Sequence, residues 1–405
     1  MNKILSLQII AAVVLSLTFV ACSSTEDRYV VVLSMDGFRT EYLSRANTPV
    51  LDSLSKVGVK AAFRPCFPSL TFPNHYAMAT GLHPDHHGLI SNFFYAEDLK
   101  RTYRLGDNEA VTNPDFYGGE PIWNTAEKQG VRSASFFWVG SEACIQGLQP
   151  SICKVYDKSV PYMNRADSVV AWLNLPKDIR PHLIMWYMEE PDATGHSDTP
   201  DSASVVKVIE GLDRVLAHFF EEARKLEHFD KIDFIIVSDH GMATYLPENY
   251  VNLNDYLPRD SFEYIFDGVP ALLYPKTKTY TEQALSILQN VPRVKVYRKE
   301  NLPERYVYGK NPRIGDIVVV PAVGTYVQFR EESRPRLGGT HGYDNFVPEM
   351  EAIFYAAGPS FKRGVELPVM ANVNLYLIVS KILKLIPAPN DGEEEIVQNL
   401  LKKER

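Results

Sequence analysis

The sequence lacks an excess of positive charge. Its 405 residues carry 42 Lys and Arg against 50 Asp and Glu, a formal net charge of −8. This balance argues against sequence-independent binding to nucleic acid, so we expect no stable nucleic-acid partner. A negative surface also repels anionic substrates, and an anion-binding site would therefore need local positive charge such as metal ions. Internal repeats and low-complexity segments are absent as well, and the 45% hydrophobic content is that of a globular chain with a sizeable core.

Long apolar runs are lacking beyond the N-terminus, so we predict no membrane-spanning helix in the mature protein. The one such run, residues 4–20, has a positive start and ends in Phe19-Val-Ala-Cys22, as a secretory signal does. A cysteine after a small residue resembles the lipobox of bacterial lipoproteins, although Phe19 replaces the usual leucine; a plain cleaved signal is the alternative. We expect a signal peptide over residues 1–21 and a tether over residues 22–28, lipidated at Cys22. The protein would then be an exported bacterial lipoprotein of the periplasm or outer membrane, attached to the membrane by its lipid.

Cysteine is scarce, with four residues in the whole chain. Cys144 and Cys153 are close in sequence, and in an exported protein they are expected to close a small loop by a disulfide. Cys66 is then left as an unpaired, buried thiol.

Apolar, β-branched runs alternate with helical patterns along the chain. Strands are predicted at 29–35, 133–139, 182–188, 232–238 and 351–357, and helices from about residue 47 to Gly58, from Thr71 to Gly81, and over 201–227. The alternation predicts a mostly parallel α/β sheet covered by helices on both faces. The carboxyl ends of strands in such sheets form the ligand-binding edge.

The predicted organisation is a single domain over residues 29–395. The ranges near 91–165 and 255–335 are rich in turns and aromatics and are expected to be insertions around the sheet edge. The acidic-then-basic end of the chain is expected to be a terminal helix or a frayed end, with a tail over residues 396–405.

Six residues of metal-ligand type stand where the predicted strands end. They form four clusters: Asp36; Asp192 with His196; Asp239 with His240; and His341. Asp192 and His196 are expected to meet through a glycine turn, and Asp239 and His240 lie on the tight turn after a strand. Three carboxylates and three imidazoles suit two Zn²⁺ ions, with coordination positions left open for substrate and nucleophile. Two dications against three aspartates leave one net positive charge, enough to hold a threonine alkoxide.

Thr71 is the candidate nucleophile, because it stands at the predicted mouth of a helix with Pro73 in the first turn. The amide groups and positive dipole end of a helix favour an alkoxide and a bound phosphate there. The alternative is an ordinary helix cap. The metal-type clusters elsewhere in the chain favour the catalytic interpretation.

Seven motifs carry a resemblance to a known family. They are Met35-Asp-Gly-Phe-Arg39, Thr71-Phe-Pro-Asn-His75, Thr80-Gly-Leu-His-Pro84, His87-Gly-Leu-Ile-Ser-Asn92, Glu190-Pro-Asp-Ala-Thr-Gly-His196, Ser238-Asp-His-Gly-Met242 and Gly339-Thr-His-Gly-Tyr-Asp-Asn345. In this order the chain resembles the nucleotide pyrophosphatase/phosphodiesterase family of the alkaline phosphatase superfamily. The resemblance implies an alkaline phosphatase-like three-layer α/β/α sandwich, of which this chain would be the catalytic domain.

The resemblance also implies a role for each site residue. Asp192, His196 and His341 would hold one zinc ion, and Asp36, Asp239 and His240 the other. Thr71 would be activated by the second zinc and become transiently nucleotidylated, while the first zinc would activate the water that releases product. Asn92 would donate its amide to a non-bridging phosphate oxygen.

Aromatic side chains are expected to hold the base of a nucleotide. By the resemblance, Phe72 and Tyr156 would sandwich it, and Trp138 and Tyr187 would flank the same pocket. For the last two, a place in the core is the stronger alternative.

The expected function is hydrolysis of phosphodiester or pyrophosphate bonds in nucleotides, such as ATP to AMP and pyrophosphate. Some similar proteins cleave choline-bearing or lysophospholipids, which is the first alternative. A sulfatase is less favoured because Leu70 stands where the signal Cys-x-Pro-Ser-Arg needs arginine, and a monoesterase because Asn92 replaces a second cation. A non-catalytic zinc-binding lipoprotein is the alternative outside enzymes.

Overall fold

The computed structural model describes residues 27–403, which form one large sheet, four small ones and eleven α-helices. The strands are β1 (Tyr29–Met35), β2 (Val59–Arg64), β3 (Phe93–Ala96), β4 (Arg101–Arg104), β5 (Ser133–Phe136), β6 (Ile152–Lys154), β7 (Leu183–Met188), β8 (Ile232–Val237), β9 (Ala243–Tyr245), β10 (Tyr250–Asn252), β11 (Phe262–Phe266), β12 (Ala271–Pro275), β13 (Val294–Arg298), β14 (Ile317–Pro321), β15 (Tyr326–Gln328), β16 (Gly338–Thr340), β17 (Ala352–Ala357) and β18 (Val365–Ala371). The helices are α1 (Pro49–Val57), α2 (Thr71–Thr80), α3 (Pro84–His87), α4 (Asn108–Val111), α5 (Ile122–Lys128), α6 (Tyr162–Leu173), α7 (Asp192–Asp198), α8 (Ala203–Ala223), α9 (Lys278–Leu288), α10 (Asn374–Ile382) and α11 (Glu394–Leu400).

The central sheet has eight strands in the order β18-β2-β17-β8-β1-β7-β5-β6. Neighbours pair in parallel except at β17, which runs antiparallel to both β2 and β8. The prediction of a mostly parallel sheet is therefore confirmed. Because β17 is reversed, its beginning lies at the edge where β1, β7 and β8 end.

Helices cover both faces of this sheet, since the side chains of a strand point alternately to opposite sides. In β1, Val30 and Val32 pack into a core shared with α2, α5 and α10. Val31 and Leu33 pack into the other core, shared with α1, α6 and α8. Every residue of β1 is buried, as expected for a strand covered on both faces.

The two ranges predicted as insertions differ from each other in the structure. Residues 255–335 hold a separate four-stranded sheet, β11-β12-β14-β13, which shares its own small core with α9. Residues 91–165 hold the β3–β4 hairpin, but also β5, β6 and the start of α6, which belong to the main sandwich. Only part of that range is therefore an addition to the sheet.

The predicted strand positions agree with the structure to within a few residues at their ends. The helix predicted over 201–227 is shorter, running as α8 from a Ser202 cap that accepts from the Val205 amide. Strands β2 and β18 escape prediction because neither has a continuous apolar run, and burial alternates along β2. The predicted C-terminal helix is present as α11.

The predicted disulfide between Cys144 and Cys153 is not found among the described residues. Cys144 and Cys153 are free thiols in the structure, and the Cys153 thiol group lies 3.4 Å from the Ser141 carbonyl oxygen. Cys66 is free and buried, as predicted.

The predicted signal peptide and the lipidated Cys22 lie outside the described residues. Within residues 27–403, no helix combines the length and apolar character that crossing a membrane requires.

Candidate active site

The ligand-type residues meet at one edge of the central sheet. Asp36 directly follows β1, Asp239 and His240 follow β8, and Asp192 follows β7 and begins α7. Strands β7, β1 and β8 are adjacent and parallel, so their carboxyl ends bring these side chains together.

A glycine allows the loop after β1 to contact the start of helix α7. Gly37 has φ +67°, and a Cβ added to it would lie 2.8 Å from Cβ of Asp192. Its amide donates to Oδ1 of Asp239 at 3.1 Å, and the Asp192 amide donates to the Asp36 carbonyl at 3.0 Å. A larger residue at this position would force the ligand loops apart.

Asp192 and His196 lie one turn apart on helix α7, so the predicted glycine turn is wrong. The i,i+4 spacing places Nε2 of His196 at 3.4 Å from Oδ1 of Asp192. His341 joins them from the loop before β17, with its Nε2 at 3.5 Å from the same Asp192 oxygen. It can do so because the reversed direction of β17 brings that loop to this edge.

The second set lies beside the first. Nε2 of His240 is 3.0 Å from Oδ2 of Asp239 and 3.6 Å from Oδ1 of Asp36. The rings of His240 and His341 stack with centroids 3.6 Å apart, which joins the two sets. Asp192 can contribute to either set, since its ligand atoms also lie within 4.8 Å of those of Asp36 and His240.

The orientation of the histidines fits bound cations. Nδ1 of His196 donates to the Gly339 carbonyl at 2.8 Å, and Nδ1 of His341 donates to the Ser69 carbonyl at 2.8 Å. The Nε2 atoms of both rings then face the cluster, and they lie 3.1 Å apart. Burial and the neighbouring His240 and His196 hold the pKa of His341 well below its usual range, so this imidazole is neutral. A neutral imidazole has a lone pair on Nε2 that can bind a cation.

The carboxylates of the cluster also fit bound cations. Oδ1 of Asp36, Oδ1 of Asp192 and Oδ2 of Asp239 are buried and accept no hydrogen bond from within residues 27–403. Burial, together with the Asp239 and Asp192 carboxylates, raises the pKa of Asp36 well above its usual range. Orphaned buried oxygens on three neighbouring carboxylates are what a divalent metal would satisfy.

Thr71 faces this cluster from the first turn of α2. Helix α2 begins at Thr71, as predicted, and Oγ1 of Thr71 lies 3.1 Å from Nε2 of His240. Asn92 lies beside the first turn of α2, where its Oδ1 accepts the Phe72 amide at 3.0 Å. Since that bond fixes the oxygen, the Nδ2 group of Asn92 is the end left to donate.

The four aromatic residues occupy three different environments. Trp138 is 1% exposed and its Nε1 donates to the His75 carbonyl, so it lies in the core, which is the stronger alternative for this residue. The Tyr187 hydroxyl donates to Oδ2 of Asp36 at 2.7 Å, so this residue supports a ligand. Phe72 is half-buried and Tyr156 is 47% exposed, which leaves both rings accessible. Their joint contact with a base stays a prediction.

His75 is a site residue that the sequence analysis assigns no role. Its Nε2 lies 2.9 Å from the Ser34 hydroxyl, and its Nδ1 lies 3.0 Å from the Thr71 carbonyl and 3.3 Å from Oδ2 of Asp239. It therefore links helix α2, which begins at Thr71, to Asp239 of the ligand-type cluster. The available signal was its position four residues after Thr71, on the same face of the helix.

Fold and site together define a class of protein. It is an alkaline phosphatase-like α/β protein with a cluster of metal-ligand type at the carboxyl edge of its sheet and a threonine at a helix N-terminus beside it. The family model for type I phosphodiesterase/nucleotide pyrophosphatase matches residues 30–344. The chain belongs to this family, whose members are metalloenzymes.

Curated relatives and solved structures agree with this membership. Human ectonucleotide pyrophosphatase/phosphodiesterase family member 1 is 37% identical over 385 residues, covering 92% of this chain and 42% of its own length. The venom phosphodiesterase CdcPDE of Crotalus durissus collilineatus is 36% identical over 390 residues, covering 93% and 47%. The chain thus spans less than half the length of these curated relatives. Murine ectonucleotide pyrophosphatase/phosphodiesterase 5 superposes with a TM-score of 0.88 at 31% identity, covering 93% of this chain and 100% of that one. An inactive threonine-to-alanine variant of that murine protein, solved in complex with AMP, has the same score and coverage.

Proposed function

We propose that this protein hydrolyses phosphodiester or pyrophosphate bonds of nucleotides and releases a nucleoside monophosphate. The observation that carries the proposal is Thr71, whose Oγ1 lies at a helix N-terminus and 3.1 Å from a histidine of the metal-type cluster. Family membership and the AMP complex of the inactive threonine variant of the murine relative support a nucleotide as substrate.

In the proposed reaction, Oγ1 of Thr71 gives up its proton to solvent and attacks the α-phosphorus, and the bond from phosphorus to the leaving group breaks. The nucleotidyl group is then esterified to Thr71. Water attacks the same phosphorus and loses a proton, the bond to Oγ1 breaks, Oγ1 regains a proton, and the monophosphate leaves. Asn92 would donate its Nδ2 to a non-bridging oxygen during both displacements, since its Oδ1 is held by the Phe72 amide.

Two Zn²⁺ ions are proposed as the cofactor. Asp192, His196 and His341 would hold one, and Asp36, Asp239 and His240 the other, because imidazole and carboxylate ligands suit zinc. When bound, the ions would supply the positive charge that lowers the pKa of the attacking oxygens. Tyr187 would keep Asp36 oriented through its 2.7 Å hydrogen bond.

The base is proposed to stack between Phe72 and Tyr156. Both rings are accessible, and stacking on aromatic side chains contributes about 1–3 kcal/mol per base without reading its identity.

The test uses soluble protein lacking residues 1–22, loaded with zinc and given ATP and lysophosphatidylcholine in parallel. We expect AMP and pyrophosphate from ATP, identified by mass spectrometry. Thr71→Ala should lose at least about 1000-fold in kcat, because the covalent route is removed, while it keeps its bound zinc.

The control is Thr71→Ser, which keeps the hydroxyl and should retain measurable turnover. Phosphocholine without AMP would refute a nucleotide substrate and favour a lipid headgroup. Unchanged turnover in Thr71→Ala would refute the threonine intermediate.

We also propose that the protein is exported and anchored by a lipid on Cys22, in the periplasm or outer membrane. The support is the sequence pattern at Phe19-Val-Ala-Cys22. The full chain expressed in bacteria should incorporate labelled palmitate and fractionate with membranes, and Cys22→Ala should do neither. Equal labelling of both proteins would exclude Cys22 as the lipidated residue.

A further inference from the structure

A second group of metal-ligand type lies beyond the other end of helix α2. His83 directly precedes α3, His86 lies within it, and Asp391 comes from the C-terminal segment. Nδ1 of His83 lies 2.9 Å and Nδ1 of His86 lies 2.7 Å from Oδ2 of Asp391. Each of the three residues offers one possible ligand atom, and these three atoms all lie within 4.8 Å of one another.

We propose that His83, His86 and Asp391 form a further metal site, which takes a divalent transition cation of the Zn²⁺ type. It shares no residue with the cluster around Thr71, and it does not depend on the function proposed above.

The histidines are held in place without a metal. Asp85, between them, points away, and its Oδ1 accepts the backbone amides of Gly309, Lys310 and Asn311 at 2.8–3.0 Å. This buried carboxylate fixes the turn from which both imidazoles project.

The carboxylate is held from the other side. The Asp391 amide donates to the Gly81 carbonyl at 2.7 Å, and the Asn390 side chain caps the same loop by accepting the Gly392 amide at 2.9 Å. The His83 amide also donates to Oδ2 of Asp391 at 2.8 Å. Three ligand-type residues on two segments held by these hydrogen bonds form a preorganised site, in which binding costs little ordering of the chain.

The three ligand atoms and the exposure of their side chains indicate which kind of ion the site would bind. Two imidazole nitrogens and one carboxylate oxygen suit zinc and related transition metals better than calcium or magnesium, which prefer oxygen ligands. Zinc bonds of about 2.0–2.1 Å in a tetrahedron require ligand atoms about 3.3 Å apart, so the nitrogens need to move about 0.5 Å away from the oxygen. The three side chains are 21%, 43% and 23% exposed, which allows that movement and leaves room for water as a further ligand.

The competing interpretation is a purely hydrogen-bonded cluster, in which both imidazoles donate from Nδ1 to one oxygen. A bound metal would instead replace those protons and tie the C-terminal segment to the end of the helix that carries Thr71. The two interpretations differ in the number of metal ions that the chain binds and in what zinc does to its stability.

The experiment counts metal on the mature protein. Wild type, His83→Gln/His86→Gln and the control His218→Gln are dialysed against the same zinc buffer and analysed by mass spectrometry for zinc per chain. His218 is the matched control because its Nε2 makes a surface contact with one carboxylate, Asp167, at 2.6 Å, and it belongs to no three-residue group among the described residues.

We expect the wild type and His218→Gln to bind about one zinc more than the double variant, since only the double variant lacks two of three ligands. Zinc added beyond the occupancy of the double variant should raise the melting temperature of the wild type and not that of the double variant. If the double variant does not fold, His86→Gln alone, at the most exposed of the three positions, serves in its place. Equal zinc counts, or equal melting shifts, would overturn the proposal and leave a hydrogen-bonded cluster. Because neither readout is turnover, inactive protein would give the same answer.

Discussion

At the scale of single residues, the candidate active site depends on groups that orient the ligands as much as on the ligands. The Nδ1 atoms of His196, His240 and His341 all lie 2.8–2.9 Å from backbone carbonyls, which turns each Nε2 toward the cluster. Tyr187 does the same for Asp36 through its hydroxyl. These contacts determine which atoms are free to bind a metal.

Tyr187→Phe should weaken metal binding without unfolding the protein. It keeps the ring and deletes the hydroxyl that donates to Oδ2 of Asp36 at 2.7 Å. Loss of such a supporting contact typically costs about 10–100-fold in metal affinity. The measurement is activity in chelator-buffered zinc, where the variant should need more free zinc for half-maximal turnover and recover in excess zinc.

Tyr156→Phe is the control for that change. It also deletes a tyrosine hydroxyl, but Tyr156 packs edge-on against Phe137 and interacts with Glu189, whereas the hydrogen bond to Oδ2 of Asp36 comes from Tyr187. Its zinc requirement should match that of the wild type. A Tyr187→Phe curve that coincides with both would show that the hydroxyl does not support the ligand.

At the scale of elements, helix α2 links the two metal-type clusters. It starts at Thr71, beside the first cluster, and ends at Gly81, whose φ of +69° is left-handed. A Cβ added to Gly81 would lie 2.9 Å from Cβ of Asn390 and 3.0 Å from Cβ of Tyr376. The glycine therefore serves both to end the helix and to let the C-terminal segment pack against it.

Gly81→Ala should destabilise the protein by about 2–4 kcal/mol, from left-handed strain of about 1–2 kcal/mol and the forced displacement of the C-terminal segment. The measurement is urea denaturation. Gly130→Ala is the matched control, because Gly130 has φ +76° and nothing lies within 4 Å of an added Cβ. Its cost should be the strain alone. Equal losses in both variants would mean that the contact with Asn390 is unimportant.

Element prediction succeeded where the local pattern was complete. The fully buried strand β1 was predicted with both of its ends, and α2 was predicted from Thr71 to its terminating glycine. Strand β18 was missed because its alternating exposure and Pro368 hide it among loops. Its place in the sheet comes from pairing with β2, a contact between distant parts of the chain.

At the scale of the whole molecule, stability depends on buried charges as well as on the two large cores. Asp233 lies in the fully buried strand β8, and its oxygens accept the Ser360 amide at 2.9 Å and hydroxyl at 2.7 Å. Burial raises the pKa of its carboxyl to about 6, in spite of these bonds. The folded protein therefore binds the proton of the Asp233 carboxyl more tightly than the unfolded chain does.

Because the folded pKa lies above the unfolded value of 3.8, the contribution of Asp233 is fully present below about pH 4 and is lost as the pH rises through about 6. The free energy of unfolding of the wild type should fall by up to about 3 kcal/mol over that window relative to Asp233→Asn. Urea denaturation of both proteins across about pH 4–7.5 measures the difference. Parallel pH profiles would refute a raised pKa.

The sequence by itself determined the fold class, the strands that end at the site, the six ligand-type residues and the position of Thr71. These follow from local signals, namely apolar runs, turn residues and helix boundaries, each readable within a few neighbours. The tertiary structure decided how Asp192 and His196 meet on a helix, how the reversed strand β17 brings His341 to the site, and that Trp138 is core while Tyr187 supports Asp36. It also brought Asp391 to His83 and His86, 308 and 305 residues away. Such contacts depend on strand order and packing between distant segments, which no local pattern specifies.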